Sequence, residues 1–261
     1  MAPISKLKKR ISNVFFKNWY SYISKIDKQA EVIFMNYGYS EPNNPLALEP
    51  HDEPNRYSIQ LYHHVSKWGE LHGKDVLEVG SGRGGGLSFV HRHFKPKTAT
   101  GLELNDKAIE FCKNHYKHPN LNFVQGNAEK ICFEDNSFDS VLNVESSHRY
   151  MNPESFFAEV NRVLRPGGYF LYTDFRPKGK SADVHKALVK ANFKIEHHDF
   201  ITERVVDALR LNTVAREQIV QKLLPTFIHA IGKRFAGTEG SDTYNKFKNN
   251  DWEYFFYVLR K

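Results

Sequence analysis

Apolar and polar positions alternate along this chain in two rhythms. Short apolar runs that stop at glycine or an acid predict strands, and apolar residues spaced by three or four predict helices. Asp75 to Val79 is such a run, ending at a cluster of glycines, and Leu87 to Phe94 reads as the helix that follows. Residues 98–105 (TATGLELN) and 121–133 (LNFVQGNAEKICF) each begin a further strand. Another apolar-leaning run ends in Glu145-Ser146-Ser147-His148-Arg149-Tyr150. A helix start comes at once, with Asn152 as N-cap, Pro153 at the first helical position and Glu154 in the first turn. His148 is therefore expected between a strand end and a helix start. Helical spacing returns at Val205, Val206, Leu209, Val214, Ile219, Val220, Leu223, Leu224, Phe227 and Ile231.

The N-terminal residues show helical spacing too, at Ile4, Leu7, Ile11, Val14, Phe15, Trp19, Tyr22, Ile23 and Ile26. Lys and Arg occupy much of the opposite face. The net charge of +7 is concentrated there: residues 1–28 hold seven basic side chains against Asp27 alone, leaving 30 basic and 29 acidic for the rest. Basicity confined to one segment argues against a nucleic-acid groove spread over the body. The segment reads first as a helix packed on the domain, then as a basic helix lying on an anionic membrane surface, and third as a targeting peptide. At 261 residues and 40% hydrophobic, the chain suits one large α/β domain, here residues 31–261, behind the N-terminal helix of residues 1–30. Two cysteines, Cys112 and Cys132, make a disulfide framework improbable and a reducing, cytoplasmic setting the default. No apolar run is long enough to span a bilayer.

Chemistry enters at VLEVGSGRGGG. Gly80, Gly82, Gly84, Gly85 and Gly86 crowd the turn between strand and helix, where backbone can approach a ligand closely and helix N–H groups face an anion. Such a loop alone fits NAD, FAD or S-adenosylmethionine. Glu103, at the end of the second strand and 21 residues past Gly82, can accept two ribose hydroxyls. Asn127 ends the third strand region, where its amide could bond an adenine edge. Glu78 lies in an otherwise apolar run, and a buried carboxylate needs a partner. A cationic ligand or loop N–H groups would supply one, whereas dinucleotide enzymes usually keep this strand apolar.

The stretches VLEVGSGRGGG, GLELN, VQGNAEKICFEDNSFDSVLNVESSHRY and EVNRVLRPGGYFLYTDF together resemble the class I S-adenosylmethionine-dependent methyltransferases. With NYGY and EPHDEPNRYSIQLYHHV, the resemblance narrows to the phthiotriol/phenolphthiotriol dimycocerosate O-methyltransferase group and covers most of residues 34–261. It implies a Rossmann-like α/β sheet of seven mostly parallel strands, with helices on both faces and the last strand antiparallel. Strand four would be Phe138 to Val144, strand five Tyr169 to Asp174, strand six within 191–200 and the last 252–260. Segments 34–66 and 202–249 would form a helical lid over an apolar small-molecule substrate. S-adenosyl-L-methionine would contact Glu78, Gly80, Ser81, Gly82, Gly84, Glu103, Leu104, Asn127, Ala128 and Asn143. Glu145 and Tyr150 would face the substrate.

A hydroxyl acceptor must lose its proton as it attacks, and histidine titrates near working pH. His148 is expected at the C-terminal edge of strand four, with Asp174 ending the neighbouring strand about 4.8 Å away. Related sugar and polyketide O-methyltransferases use a His and an Asp at these two places, which makes His148 the expected general base and Asp174 its orienter. The plainer reading has both residues capping loops. A carbon or nitrogen methyltransferase, acting on a sterol, quinone or phospholipid amine, shares the same core motifs, and a non-catalytic cofactor-binding membrane protein is the reading from another class. A nicotinamide oxidoreductase stands further off. The pairs His63-His64, His91-x-His93 and His197-His198 lack a compact ligand set and suggest no metal.

Overall fold

The computed structural model describes residues 18–19, 21–43 and 46–261. Seven strands form one sheet: β1 (Asp75–Val79), β2 (Thr98–Glu103), β3 (Leu121–Gln125), β4 (Phe138–Val144), β5 (Leu164–Pro177), β6 (Lys194–Phe200) and β7 (Trp252–Arg260). Their spatial order is β3-β2-β1-β4-β5-β7-β6. The pairs from β3 through β5 are parallel, and β7 pairs antiparallel with both β5 and β6. From β1 the chain winds outward to β3, then crosses back to β4, so the order reverses between β1 and β4. In open α/β sheets a ligand crevice lies at that switch, beyond the carboxyl ends of the strands.

Side-chain alternation builds the two cores. On β7, Tyr254, Phe256 and Val258 join one buried cluster while Phe255, Tyr257 and Leu259 join the other. The first face is covered by α1 (Arg56–Ser66), α2 (Gly85–Phe94) and, from the segment expected as a lid, α6 (Thr202–Leu211) and α9 (Asp242–Lys248). The second face is covered by α4 (Pro153–Val163) and α5 (Ser181–Lys190), and α3 (Asp106–His115) packs beside β2 and β3. The lid also contains α7 (Thr213–Leu223) and α8 (His229–Ala236).

β5 runs further than the Tyr169–Asp174 expected. Its start, Leu164–Gly168, contains an Arg-Pro-Gly-Gly turn sequence, which a register shift against β4 absorbs into the sheet.

The described part of the N-terminal segment packs on the domain. Residues 18–19 and 21–26 are helical. Trp19 stacks on Phe235 at 4.6 Å, and Ile23 is buried against Val220 and Leu224. Asp27 makes a buried ion pair with Arg83 of the glycine loop, Nη2 to Oδ2 at 3.0 Å, and its carboxylate also accepts the N–H groups of Glu31 and Val32. The amphipathic pattern at residues 4–15 lies outside the described residues. No helix among the described residues is long and apolar enough to cross a membrane.

Candidate active site

The glycine loop turns where β1 ends, and two of its glycines need their identity. Gly80 has φ +79 and Gly82 φ +53, the left-handed region that side chains disfavour. A Cβ on Gly80 would also sit 2.0 Å from Ser146 Oγ. The loop is fixed to its neighbour strand: Gly80 and Ser81 donate to the Leu102 carbonyl, and Gly82 N–H donates to Glu103 Oε2 at 3.1 Å. Glu103 Oε1 accepts from Asn105 N–H at 2.8 Å, and Asn105 caps α3.

Above this edge lies a cleft of about 390 Å³, within the usual size of a small-molecule site. Gly80, Ser81, Gly82, Glu103, Leu104, Asn127, Ala128, Glu145 and Tyr150 all line it. The residues present fit S-adenosylmethionine. Left-handed glycines leave backbone bare on one side, the Ser81 hydroxyl is buried with no partner among the described residues, and the Glu103 carboxylate lines the cleft at the end of β2, an acceptor suited to hydroxyl groups. Asn127 Oδ1 accepts from Glu129 N–H at 2.9 Å, which orients the amide beside Ala128.

Gly84, Glu78 and Asn143 stand behind this wall rather than on it. Gly84 packs toward Phe123 and Tyr116. Glu78 is fully buried, accepts the Tyr62 hydroxyl at 2.6 Å, and keeps Oε2 without a partner among the described residues. Burial pushes its carboxyl up to about 8. Of the partners expected, a cationic ligand or loop N–H groups, neither holds Oε1, which takes a phenol from α1 instead. Asn143 donates to the Val79 carbonyl at 2.7 Å and to Tyr150 Oη at 3.1 Å, tying β4 to the end of β1.

His148 sits on a single 3-10 turn, Ser147–Arg149, between β4 and α4. Its Nδ1 is 2.8 Å from Asp174 Oδ1, and its backbone N–H donates to Asp174 Oδ2, also at 2.8 Å. Asp174 is fully buried and further held by the Ser147 hydroxyl at 2.6 Å and Arg176 Nη1 at 3.1 Å. Burial alone would raise the Asp174 pKa, but the charges of Arg176 and His148 hold it well below the carboxylate range. Burial depresses the His148 pKa, against the pull of Asp174. The ring packs on Phe175 at 4.4 Å. With Nδ1 committed to Asp174, Nε2 is the nitrogen left for the cavity.

That cavity, about 170 Å³, is a second one. Its polar end holds His148, Glu145, Arg149, Asn36, Asn212 and Arg216, and its far end is apolar, with Ile219, Leu223, Leu224 and Phe235. Phe34, Met35, Asn36, Glu145 and Arg149 line both cavities, so the two share a wall. Glu145 adopts φ +47, an unusual backbone for a side chain at a strand end. It accepts Tyr37 N–H and the Tyr254 hydroxyl, each at 2.6 Å, and braces the strap of residues 33–37 rather than His148. Burial raises its carboxyl to about 8. Arg216 Nη1 donates to the Ala236 carbonyl and Nη2 to those of Asn36 and Tyr37, joining strap and lid.

Sequence reasoning missed Met35, Arg83 and Arg216. Met35 lies over Gly82, where an added Cβ would meet its Cε at 2.6 Å. The nearby NYGY stretch was the available signal for the strap. No periodicity marks a lone arginine inside a lid. Among the described residues no group of three or more His, Cys, Asp or Glu is placed to hold a metal. The histidine pairs pack on aromatic rings: His64 stacks on Tyr39, His197 on Trp68 and His198 on Tyr257.

A methyltransferase domain model matches residues 77–172. A fatty-acid O-methyltransferase of Mycolicibacterium smegmatis is 42% identical over 243 residues, 93% of this chain and 88% of that protein. A phthiotriol/phenolphthiotriol dimycocerosates methyltransferase of Mycobacterium tuberculosis is 38% identical over 247 residues, 94% of this chain and 92% of that protein. Among solved structures, a cyclopropane synthase of Mycobacterium tuberculosis matches with a TM-score of 0.73 at 11% identity, covering 94% of this chain and 98% of that one. That last likeness is one of fold.

Proposed function

The chain belongs to the S-adenosylmethionine-dependent methyltransferases, and we propose that it methylates an oxygen of a bulky, lipid-like small molecule with His148 as general base. S-adenosylmethionine, when bound, supplies a methyl group on a sulfonium sulfur that departs with the bonding electrons. Gly80, Ser81 and Gly82 would hold its amino-acid part, Glu103 its ribose, and Leu104, Asn127 and Ala128 its adenine. The strap of residues 33–36 would exclude water from the methyl, and Glu145 and Arg216 hold that strap. His148 Nε2 takes the hydroxyl proton of the acceptor. Asp174 fixes the tautomer through Nδ1 and stabilises the imidazolium that forms, the arrangement of a hydrolase triad without its serine.

The observation that carries this reading is the 2.8 Å His148–Asp174 contact at the polar end of the cavity beside the cofactor cleft. The apolar far end supports a substrate with a hydrocarbon tail, and the two curated relatives are named for lipid substrates. A carboxylate acceptor is a second reading, favoured by Arg216, which lines the same cavity and whose Nε–H is buried with no partner among the described residues. A carboxylate is already ionised and needs no base. The basic N-terminal segment of residues 1–28 would add peripheral contact with an anionic membrane surface; Trp19, Ile23 and Asp27 of it pack on the domain, while Lys25 and Lys28 are exposed.

The experiment is incubation with methyl-labelled cofactor and a lipid extract, followed by alkaline hydrolysis of the labelled product. An ether from a hydroxyl keeps its label, whereas an ester from a carboxylate releases labelled methanol. Label on nitrogen or carbon, or none at all, contradicts oxygen methylation.

A further inference from the structure

One wall of the acceptor cavity is a single helix face. Asn212, the N-cap of α7, and Arg216, Ile219, Val220 and Leu223 within it all line the cavity, and their spacing of three or four keeps them on one side of the helix. The face changes character along its length. Arg216, near its start, is held beside the strap by the carbonyls of Asn36 and Tyr37. Ile219, Val220 and Leu223, further on, offer only hydrocarbon. The reacting oxygen belongs at the first end and an acyl or alkyl tail along the second.

The apolar end has a stop. Trp19 stacks on Phe235 of α8 with ring centroids 4.6 Å apart and planes 11° apart, and both residues line the cavity. The indole packs on the cluster of Ile23, Val220 and Leu224 and is half-buried, so it stands between that end of the cavity and solvent. α7 and α8 leave no gap beside it. A Cβ added to Gly232 of α8 would lie 2.5 Å from Leu224 Cδ1 and 3.0 Å from Val220 Cγ1, so the side chains of one helix already touch the backbone of the other.

We infer that α7 measures the acceptor's tail and that Trp19 sets its limit, so that the protein selects acceptors with one straight tail of medium length. From Arg216 to Leu223 is about 10 Å along the helix axis. An extended chain advances about 1.2 Å per bond, so this span takes roughly nine carbons. The cavity volume of about 170 Å³ is below that of ordinary small-molecule sites, which suits one tail and not two. The inference rests on the lipid-like acceptor proposed above and narrows it.

The test is calorimetric binding of straight-chain carboxylic acids and primary alcohols, from butyl to hexadecyl, each below its micelle concentration. The full chain is first saturated with S-adenosylhomocysteine, which has no methyl group to transfer. Wild type is compared with Trp19→Ala and Ile219→Phe. In the wild type, affinity should rise about fourfold per added carbon, the worth of a buried methylene, and stop rising at roughly nine carbons. Trp19→Ala should move that break to longer chains. Ile219→Phe places a ring about one turn beyond Arg216 and should move it to shorter ones. Neither residue lines the cofactor cleft, so an unchanged dissociation constant for S-adenosylhomocysteine shows that the variants are folded. A break at the same length in all three proteins overturns the proposal. So does wild-type affinity that keeps rising to hexadecyl, or no binding at any length. If the breaks shift as expected yet no acid or alcohol accepts labelled methyl from S-adenosylmethionine, the oxygen-methylation reading fails and the measuring role of α7 stands.

Discussion

Asp174 holds His148 twice, by the ring at Nδ1 and by the backbone N–H, each at 2.8 Å. One buried carboxylate therefore fixes both the position of the residue and the tautomer of its imidazole. The neighbours of that carboxylate, Ser147 and Arg176, keep it ionised.

The first prediction concerns pH. Only neutral His148 accepts a proton, so kcat should fall on acidification as the ring protonates. Burial lowers the His148 pKa, so this limb should lie below the ordinary histidine value of roughly 6.5. Asp174 opposes the shift, so Asp174→Asn should move the limb further down as it lowers kcat. A pH–kcat profile of both proteins checks the order of the two limbs.

Glu145 gives a second, through stability. Its carboxyl is pushed up to about 8 from an ordinary 4.5. A raised pKa means that the stability it contributes is complete below the ordinary value and is lost as pH rises through the folded value. Wild-type Tm should therefore fall between about pH 6 and 9 on this account. Glu145→Gln still accepts from Tyr37 and Tyr254 and should show a smaller fall. Glu78, also raised to about 8, leaves part of the decline in place. Thermal melts of both proteins at the two pH values measure it.

A third concerns the clamp between the N-terminal segment and the glycine loop. Asp27 and Arg83 are both almost fully buried. Removing one partner leaves a buried charge unpaired, which typically costs about 3–5 kcal/mol. Asp27→Ala should lose stability on that scale in chemical denaturation, and should weaken cofactor binding because Arg83 lies between Gly82 and Gly84. The double variant with Arg83→Met should recover much of the loss.

The acid at the end of β2 gives a fourth. Each hydrogen bond to a charged group contributes about 1.5–3 kcal/mol. Glu103→Ala should weaken S-adenosylmethionine binding by about one to two orders of magnitude in calorimetry. Thermal stability should fall less than in the Asp27 variant, since the protein partners lost are neutral backbone N–H groups, those of Gly82 and Asn105 among them, rather than a buried cation.

The residues that the sequence made legible share a cause. β1 was readable because its apolar run stops at Gly80, and β4 and β7 stand where the resemblance implied them, buried on both faces along most of their length. The α4 start was readable because Asn152 does cap it, accepting from Ser155 N–H at 3.2 Å. Gly80 stood out because a left-handed turn demands glycine, and Glu103 because an acid closes the second strand at the spacing expected of a ribose acceptor. Other features carried no local mark. Asp27 is 56 residues from Arg83, and Arg216 is 180 from Asn36, so no periodicity can announce those pairs. The start of β5 was hidden by its Arg-Pro-Gly-Gly turn chemistry, which lost to pairing with β4. The left-handed φ of Glu145 is likewise imposed by its tertiary partners.

The central claim, that His148 removes the acceptor proton, is tested most directly by His148→Ala in single-turnover methyl transfer to the lipid product identified from the extract. The expected transfer rate is about 10²–10⁴-fold lower, with the dissociation constant for S-adenosylmethionine unchanged. Transfer at the wild-type rate, or loss of cofactor binding in that variant, would contradict it.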